Sequence, residues 1–276
     1  MYERIKIFHN PFNTNESGGL LTERNFDGKV IIVAGGSTGI GRATAIQIAQ
    51  EGGKVVVVAR TPADGTEVVD TIKAAGGEAV YVKGDVAVEA DIINYIDKTI
   101  EAYDQIDGVF HCAAYTGKPH LLAEYPIEEF DKVMKTNLYS QLLGAKYAIP
   151  HLRKTSGVIL NCASIHGTFG FENMCAYSAS KAGIITLTKS LAIELGKEGI
   201  RVNVLLPGST HTPMMDNFEI SLGDQNAVRE AIAQDNAIKR YAEAHEVAEL
   251  ACFLLSEKAS ACTGGEYKAD MGYTAG

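Results

Sequence analysis

Tyr177 and Lys181 stand four residues apart in the run "CAYSASK", and Ser164 closes the apolar run "VILNCAS" thirteen residues before the tyrosine. On a helix, positions i and i+4 share a face, so this spacing places an ammonium beside a phenol. Tyrosine alone is a weak acid, with an ordinary pKa of ~10. A neighbouring positive charge stabilises the phenolate, and a phenol so supported can pass a proton to or from an oxygen at neutral pH. A serine hydroxyl beside it would orient that oxygen and stabilise charge developing there. Each residue taken singly also has a structural reading: Tyr177 packed at a helix interface, Ser164 closing a strand, Lys181 on a solvated face.

The elements that must position these groups are legible from periodicity. "KVIIVAGG" from Lys29 is a β-branched apolar run ending in glycines, a buried strand, and "ATAIQIAQEGG" spaces its apolar residues as a helix closed by glycine. Strands follow at 54–60, 78–85 and 106–114, with helices near 64–75 and 88–103. Two long helical stretches, 127–154 and 172–196, flank the strand "GVILNCAS", and the strand "RVNVLLPG" spans 201–208. Alternating short apolar strands and helices predict an α/β chain with a doubly wound parallel sheet, three layers deep. One domain is expected over 28–276, preceded by an arm over 1–27 whose Asn, Gly, Glu and aromatics show no period.

Between the first strand and the first helix lies "AGGSTGIG", with Gly35, Gly39 and Gly41 spaced GxxxGxG. Glycine serves where the backbone needs positive φ or a ligand approaches it closely, and a helix N-terminus offers free N–H groups to a pyrophosphate. The loop therefore suits a dinucleotide, although tight strand-to-helix turns also use glycine. The second strand ends in Ala59 and Arg60, where NAD-binding folds usually carry an acid for the ribose 2′-hydroxyl. Arginine suits a 2′-phosphate, so NADP(H) is favoured, with NAD(H) possible; Asp64 and Glu67 read as too far along to replace the carboxylate.

Composition narrows the class. With 46% hydrophobic residues in 276, the chain can bury a large core, and its net charge of −9 argues against nucleic-acid or anionic-membrane partners. The five cysteines form no CxxC pair and sit among apolar residues, which reads as reduced core thiols. The first residues carry charges where a signal peptide needs an apolar segment, so a cytoplasmic location is expected. His166 and His211 lack metal-ligand spacing, no metal is expected, and no GxSxG elbow suggests a serine hydrolase.

The order "AGGSTGIG", "GDV" at 84–86, "TN" at 136–137, Ser164, "YSASK", "PGSTHT" at 207–212 and "TGGEYKADMGY" resembles the short-chain dehydrogenase/reductase family over about 28–273. The resemblance implies a compact Rossmann fold with Asn137, Ser164, Tyr177 and Lys181 as the catalytic set. Tyr177 would be the general acid/base, Lys181 would also reach the nicotinamide ribose, and Asn137 would hold a water leading from Lys181 to solvent. Gly35, Ser37, Gly39, Ile40 and Gly41 would surround the pyrophosphate, and Asp85 and Val86 the adenine. Ala113 and Ala114 would line the cofactor, and Pro207, Gly208 and Thr212 its nicotinamide end. Two departures are Ala34 for the usual Thr, and "HCAA" at His111–Ala114 for the usual "NNAG". The family further implies a homotetramer or homodimer, for which the two long helices are the candidate surface.

The implied substrate is a secondary alcohol or ketone, taken in the loops 164–174 and 209–240. Met214, Met215, Phe218, Ile220 and Leu222 suggest a lid over an apolar or cyclic molecule, or simply a packed helix. Hydroxysteroid-like, cyclic-ketone and sugar-derived substrates all fit. Alternatives are an NAD-dependent polyol dehydrogenase, an epimerase or dehydratase that retains its cofactor, and a nucleotide-sensing protein without turnover.

Overall fold

The computed structural model describes residues 24–276. Its elements, in chain order, are β1 (Val30–Ala34), α1 (Gly39–Gln50), β2 (Lys54–Ala59), α2 (Pro62–Ala74), β3 (Glu78–Lys83), α3 (Glu89–Tyr103) and β4 (Gly108–His111). They continue with α4 (Ile127–Met134), α5 (Ser140–Thr155), β5 (Val158–Cys162), α6 (Cys175–Leu195), β6 (Arg201–Pro207), α7 (Pro213–Leu222), α8 (Gln225–Asp235), α9 (Ala244–Leu255) and β7 (Glu266–Ala269). Seven strands form one parallel sheet in the order β3-β2-β1-β4-β5-β6-β7.

Strands such as "VVVV" in β2 are buried on both faces, because each face carries a layer of helices. The period of two divides them: Ile31, Val33, Val55 and Val57 pack with α1, α2 and α9, while Val30, Ile32, Val56 and Val58 pack with α3, α5 and α6. Each such side chain, fully buried, contributes about 1.5–3 kcal/mol. Register ties the two halves together, with Val33 opposite Val57 on one side and Phe110 on the other. Strand order reverses between β1 and β4, which opens a crevice at their carboxyl ends.

Several expectations are modified by packing. The helix expected over 127–154 is interrupted by a π-helical turn at Lys135–Tyr139, and the strand expected over 106–114 is regular only at Gly108–His111. Neither α9 nor β7 was anticipated: α9 packs on α1, and β7 is a four-residue edge strand paired with β6. Residues 1–23 of the expected arm lie outside the described residues. Its last part belongs to the body, since Phe26 is buried in the core and its N–H donates to the Glu51 carbonyl at 3.1 Å. No helix among the described residues is long and apolar enough to cross a membrane.

Candidate active site

A cleft of about 450 Å³ lies over the carboxyl ends of the strands. At one end is the glycine loop. Gly35 has φ +87°, and a Cβ there would come within 2.6 Å of the Ala113 nitrogen. A Cβ at Gly41 would fall on the Gly35 carbonyl oxygen. The loop can therefore fold tightly back on the strands only with glycine at these places. Helix α1 begins at Gly39 with no side-chain cap and no acid in its first turn, leaving unpaired N–H groups at its positive end. That cradle fits a pyrophosphate by its donors and its charge.

Of the residues singled out in the sequence, Gly35, Ser37, Gly39, Ile40, Arg60, Asp85, Val86, Ala113, Ala114, Ser164, Tyr177, Lys181, Pro207, Gly208 and Thr212 all line this cleft. Gly41 and Asn137 do not; both support the wall from behind. Arg60, next after β2, makes no ion pair among the described residues, and Asp64 in the first turn of α2 lines the same wall. Asp64, expected to lie too far along to replace the carboxylate, is on the cleft wall because α2 starts at Pro62.

Ser164 follows β5 and caps a short 3₁₀ turn, its Oγ accepting from the His166 N–H at 3.2 Å. That contact uses an oxygen lone pair and leaves the hydroxyl proton free to donate. Tyr177 and Lys181 lie one turn apart on α6, the Lys181 Nζ 5.4 Å from the centre of the phenol ring. Lys181 is only 1% exposed, and its Nζ donates to the Cys162 carbonyl at 2.9 Å. One hydrogen bond leaves two ammonium protons for other acceptors.

Asn137 sits in the π-helical turn between α4 and α5. Its Nδ2 donates to the Tyr115 carbonyl at 2.9 Å and to Ser180 Oγ at 3.0 Å, and its Oδ1 accepts from the Tyr115 N–H at 2.7 Å. The amide is thereby occupied in pinning the segment after β4 to α6. The Asn137 backbone carbonyl, inside the π turn, accepts from Ser140 Oγ at 3.3 Å and keeps a second lone pair.

Other wall residues escaped the sequence. Tyr273, Ile232 and Asp235 come from the far end of the chain and the second lid helix, with no local pattern to mark them. Cys112 and Cys162 pack with the core as expected and also line the cleft, where the bond from the Cys112 thiol and the Lys181 charge lower the Cys162 thiol. Burial pushes the His166 imidazole down to about 4, so it is neutral at physiological pH. His211 is outside the cleft, 3.8 Å from Glu243. No metal-capable cluster of three occurs among the described residues.

A family model described as enoyl-(acyl carrier protein) reductase matches residues 34–274. The chain is 37% identical over 243 residues to levodione reductase of Leifsonia aquatica, covering 85% of this chain and 90% of the relative. The chain belongs to the short-chain dehydrogenase/reductase family. The 2,5-dichloro-2,5-cyclohexadiene-1,4-diol dehydrogenase of Sphingobium indicum is 36% identical over 91% of this chain and 99% of its own length. Cyclohexanol dehydrogenase of an Acinetobacter species is 32% identical over 92% and 98%. A crystal structure of levodione reductase superposes with a TM-score of 0.86 at 35% identity, covering 91% of this chain and 99% of that one. As a short-chain dehydrogenase/reductase, the chain is an oxidoreductase of CH–OH groups that works with a nicotinamide dinucleotide.

Proposed function

We propose that this chain interconverts a secondary alcohol and a ketone on a cyclic, largely apolar substrate, with NADP(H) as its preferred cofactor. The observation that carries the reading is the meeting of Ser164, Tyr177 and Lys181 at one end of a cleft whose other end is the glycine cradle. The nicotinamide, when bound, supplies or accepts the hydride at the substrate carbon. Everything else falls to the protein. Ser164 donates its free hydroxyl proton to the substrate oxygen and holds it in place. Tyr177 gives that oxygen a proton during reduction and takes it back during oxidation. Lys181, held by the Cys162 carbonyl, stabilises the phenolate left behind and has protons to spare for ribose hydroxyls. The backbone carbonyl of Asn137 is the place for a water through which Lys181 exchanges protons with solvent.

The ring preference is supported by the wall opposite the reacting groups, where Phe171, Met174, Met214 and Phe218 give an apolar enclosure. The substrates in the relatives' names, a dione, a diol and a cyclic alcohol, point the same way. The cofactor preference is supported by Arg60, which makes no ion pair among the described residues. A second reading, NAD(H), is favoured by Asp64 on the same wall, since its carboxylate could accept from a ribose 2′-hydroxyl.

The test is Tyr177→Phe assayed by reduced-cofactor absorbance on a panel of cyclic alcohols and ketones. Turnover is expected to fall at least ~10²-fold while cofactor binding, followed by fluorescence, is retained. Near-normal turnover would show that the acid/base is elsewhere. Cofactor binding by the native protein without turnover on any alcohol or ketone would favour a nucleotide-sensing role.

A further inference from the structure

Beyond the reacting groups, an aromatic cluster on the cleft wall holds one imidazole. The His166 ring stacks on Phe171 at 4.7 Å with 13° between planes, and meets Phe169 edge-on at 5.4 Å and Tyr177 edge-on at 6.0 Å. The His166 backbone N–H donates to Ser164 Oγ, so backbone and ring are both tied to the catalytic pair. Phe169 is in turn stacked on Tyr273 at 5.7 Å, which braces the cage from the chain's C-terminal end.

The chemistry of this imidazole is constrained. It is neutral above about pH 4 because it is buried. A neutral ring has one donor and one acceptor nitrogen. Nδ1 is buried with no partner among the described residues, and the ring lines the cleft, which leaves Nε2 as the nitrogen available to a substrate. Among the described residues no group takes a proton from Nδ1. Placing the proton on Nε2 avoids burying an unpaired donor, so the cleft receives a single N–H one ring's width from the Tyr177 phenol. None of the proposed reaction steps uses it.

We propose that His166 selects substrates whose ring carries a second oxygen, a diol, hydroxyketone or dione, by donating from Nε2 to the oxygen that does not react. The inference rests on the dehydrogenase reading above and deepens it. A substrate oxygen on Ser164 and Tyr177 leaves the rest of a six-membered ring in the apolar enclosure, where the imidazole is the fixed donor beside the phenol. A ring without the second oxygen leaves that donor dry and unpaired, which costs about 5- to 100-fold in transition-state binding.

The experiment compares kcat/KM for cyclohexanol with that for cyclohexane-1,2-diol and cyclohexane-1,4-diol, in the native protein, His166→Phe and His166→Gln. Phenylalanine keeps the stacking on Phe171 and removes the donor; glutamine returns a donor without the ring. The native protein is expected to prefer at least one diol by about tenfold or more. His166→Phe should lose at least about tenfold more on that diol than on cyclohexanol, mainly through KM, with partial recovery in His166→Gln. No diol preference in the native protein, or equal losses on both substrate types in His166→Phe, would overturn the assignment. Failure of the dehydrogenase reading looks different: no ring alcohol turns over although cofactor binds, and the inference falls with it.

Discussion

At the residue scale, two side chains make separable predictions. Arg60 lines the ribose end of the cleft and makes no ion pair among the described residues. Hydrogen bonds to a charged group contribute about 1.5–3 kcal/mol, so Arg60→Ala should weaken NADP(H) by about 10- to 100-fold and NAD(H) far less. Equal weakening of both, measured by titration, would transfer the ribose role to Asp64. His111 stands where the family resemblance leads one to expect asparagine. Its Nδ1 donates to Asn161 Oδ1 at 2.9 Å, and Asn161 Nδ2 passes the chain on to Thr188 Oγ1 at 2.9 Å. Burial pushes the His111 imidazole down to about 4 from 6.5, only partly offset by the Asn161 bond. The unfolded chain therefore binds more protons between these values, and stability falls as pH drops from about 6.5 towards 4. The shift corresponds to about 3 kcal/mol lost across that window, none of it above pH 7. Urea unfolding at pH 7 and pH 5 should show a smaller difference in His111→Asn than in the native chain, with His166 supplying the remaining share.

At the scale of elements, the lid is a helical hairpin. Arg229 of α8 bonds to Asp216 at 2.7 Å and to Glu219 at 2.6 Å, both on α7, and the Glu219 side chain is fully buried. Desolvation alone would raise the Glu219 carboxyl, but the bonds from Arg229 and Gln225 hold it below its ordinary range. Arg229→Ala should let α7 and α8 move independently and so misplace Met214 and Phe218 over the substrate. A rise in substrate KM of about 3- to 10-fold, with cofactor affinity kept, is the expected result. An unchanged KM would mean that the hairpin acts as packing alone. The π turn before α5 belongs to the same scale. The sequence shows an unbroken helical pattern over 127–154, because one extra residue in a turn leaves local propensity almost untouched. What demands the turn is the requirement that Asn137 reach both Tyr115 and Ser180.

At the scale of the whole molecule, α4, α5, the turn between them and α6 leave apolar side chains uncovered, Ile127 at 69%, Tyr139 at 54% and Ile193 at 84% exposed. Solvent-facing apolar residues on these helices support the proposal of a homodimer or homotetramer. Light scattering should report two or four times 29.5 kDa, and Ile193→Asp should shift the distribution towards the single chain. A native monomer at micromolar concentration would remove the proposal. The sheet was legible in the sequence, because strands buried on both faces read as β-branched runs, and the glycine loop stands between the first strand and the first helix. The i,i+4 pairing of Tyr177 and Lys181 was legible for the same local reason: one helix carries both. Tertiary structure decided what local patterns cannot encode. It brought Asp64, Tyr273 and Asp235 to the cleft, set α9 on α1, and gave the amphipathic stretch 209–240 its Arg229 clamp. These placements depend on contacts between segments far apart in the chain, and no spacing within a single segment records such contacts.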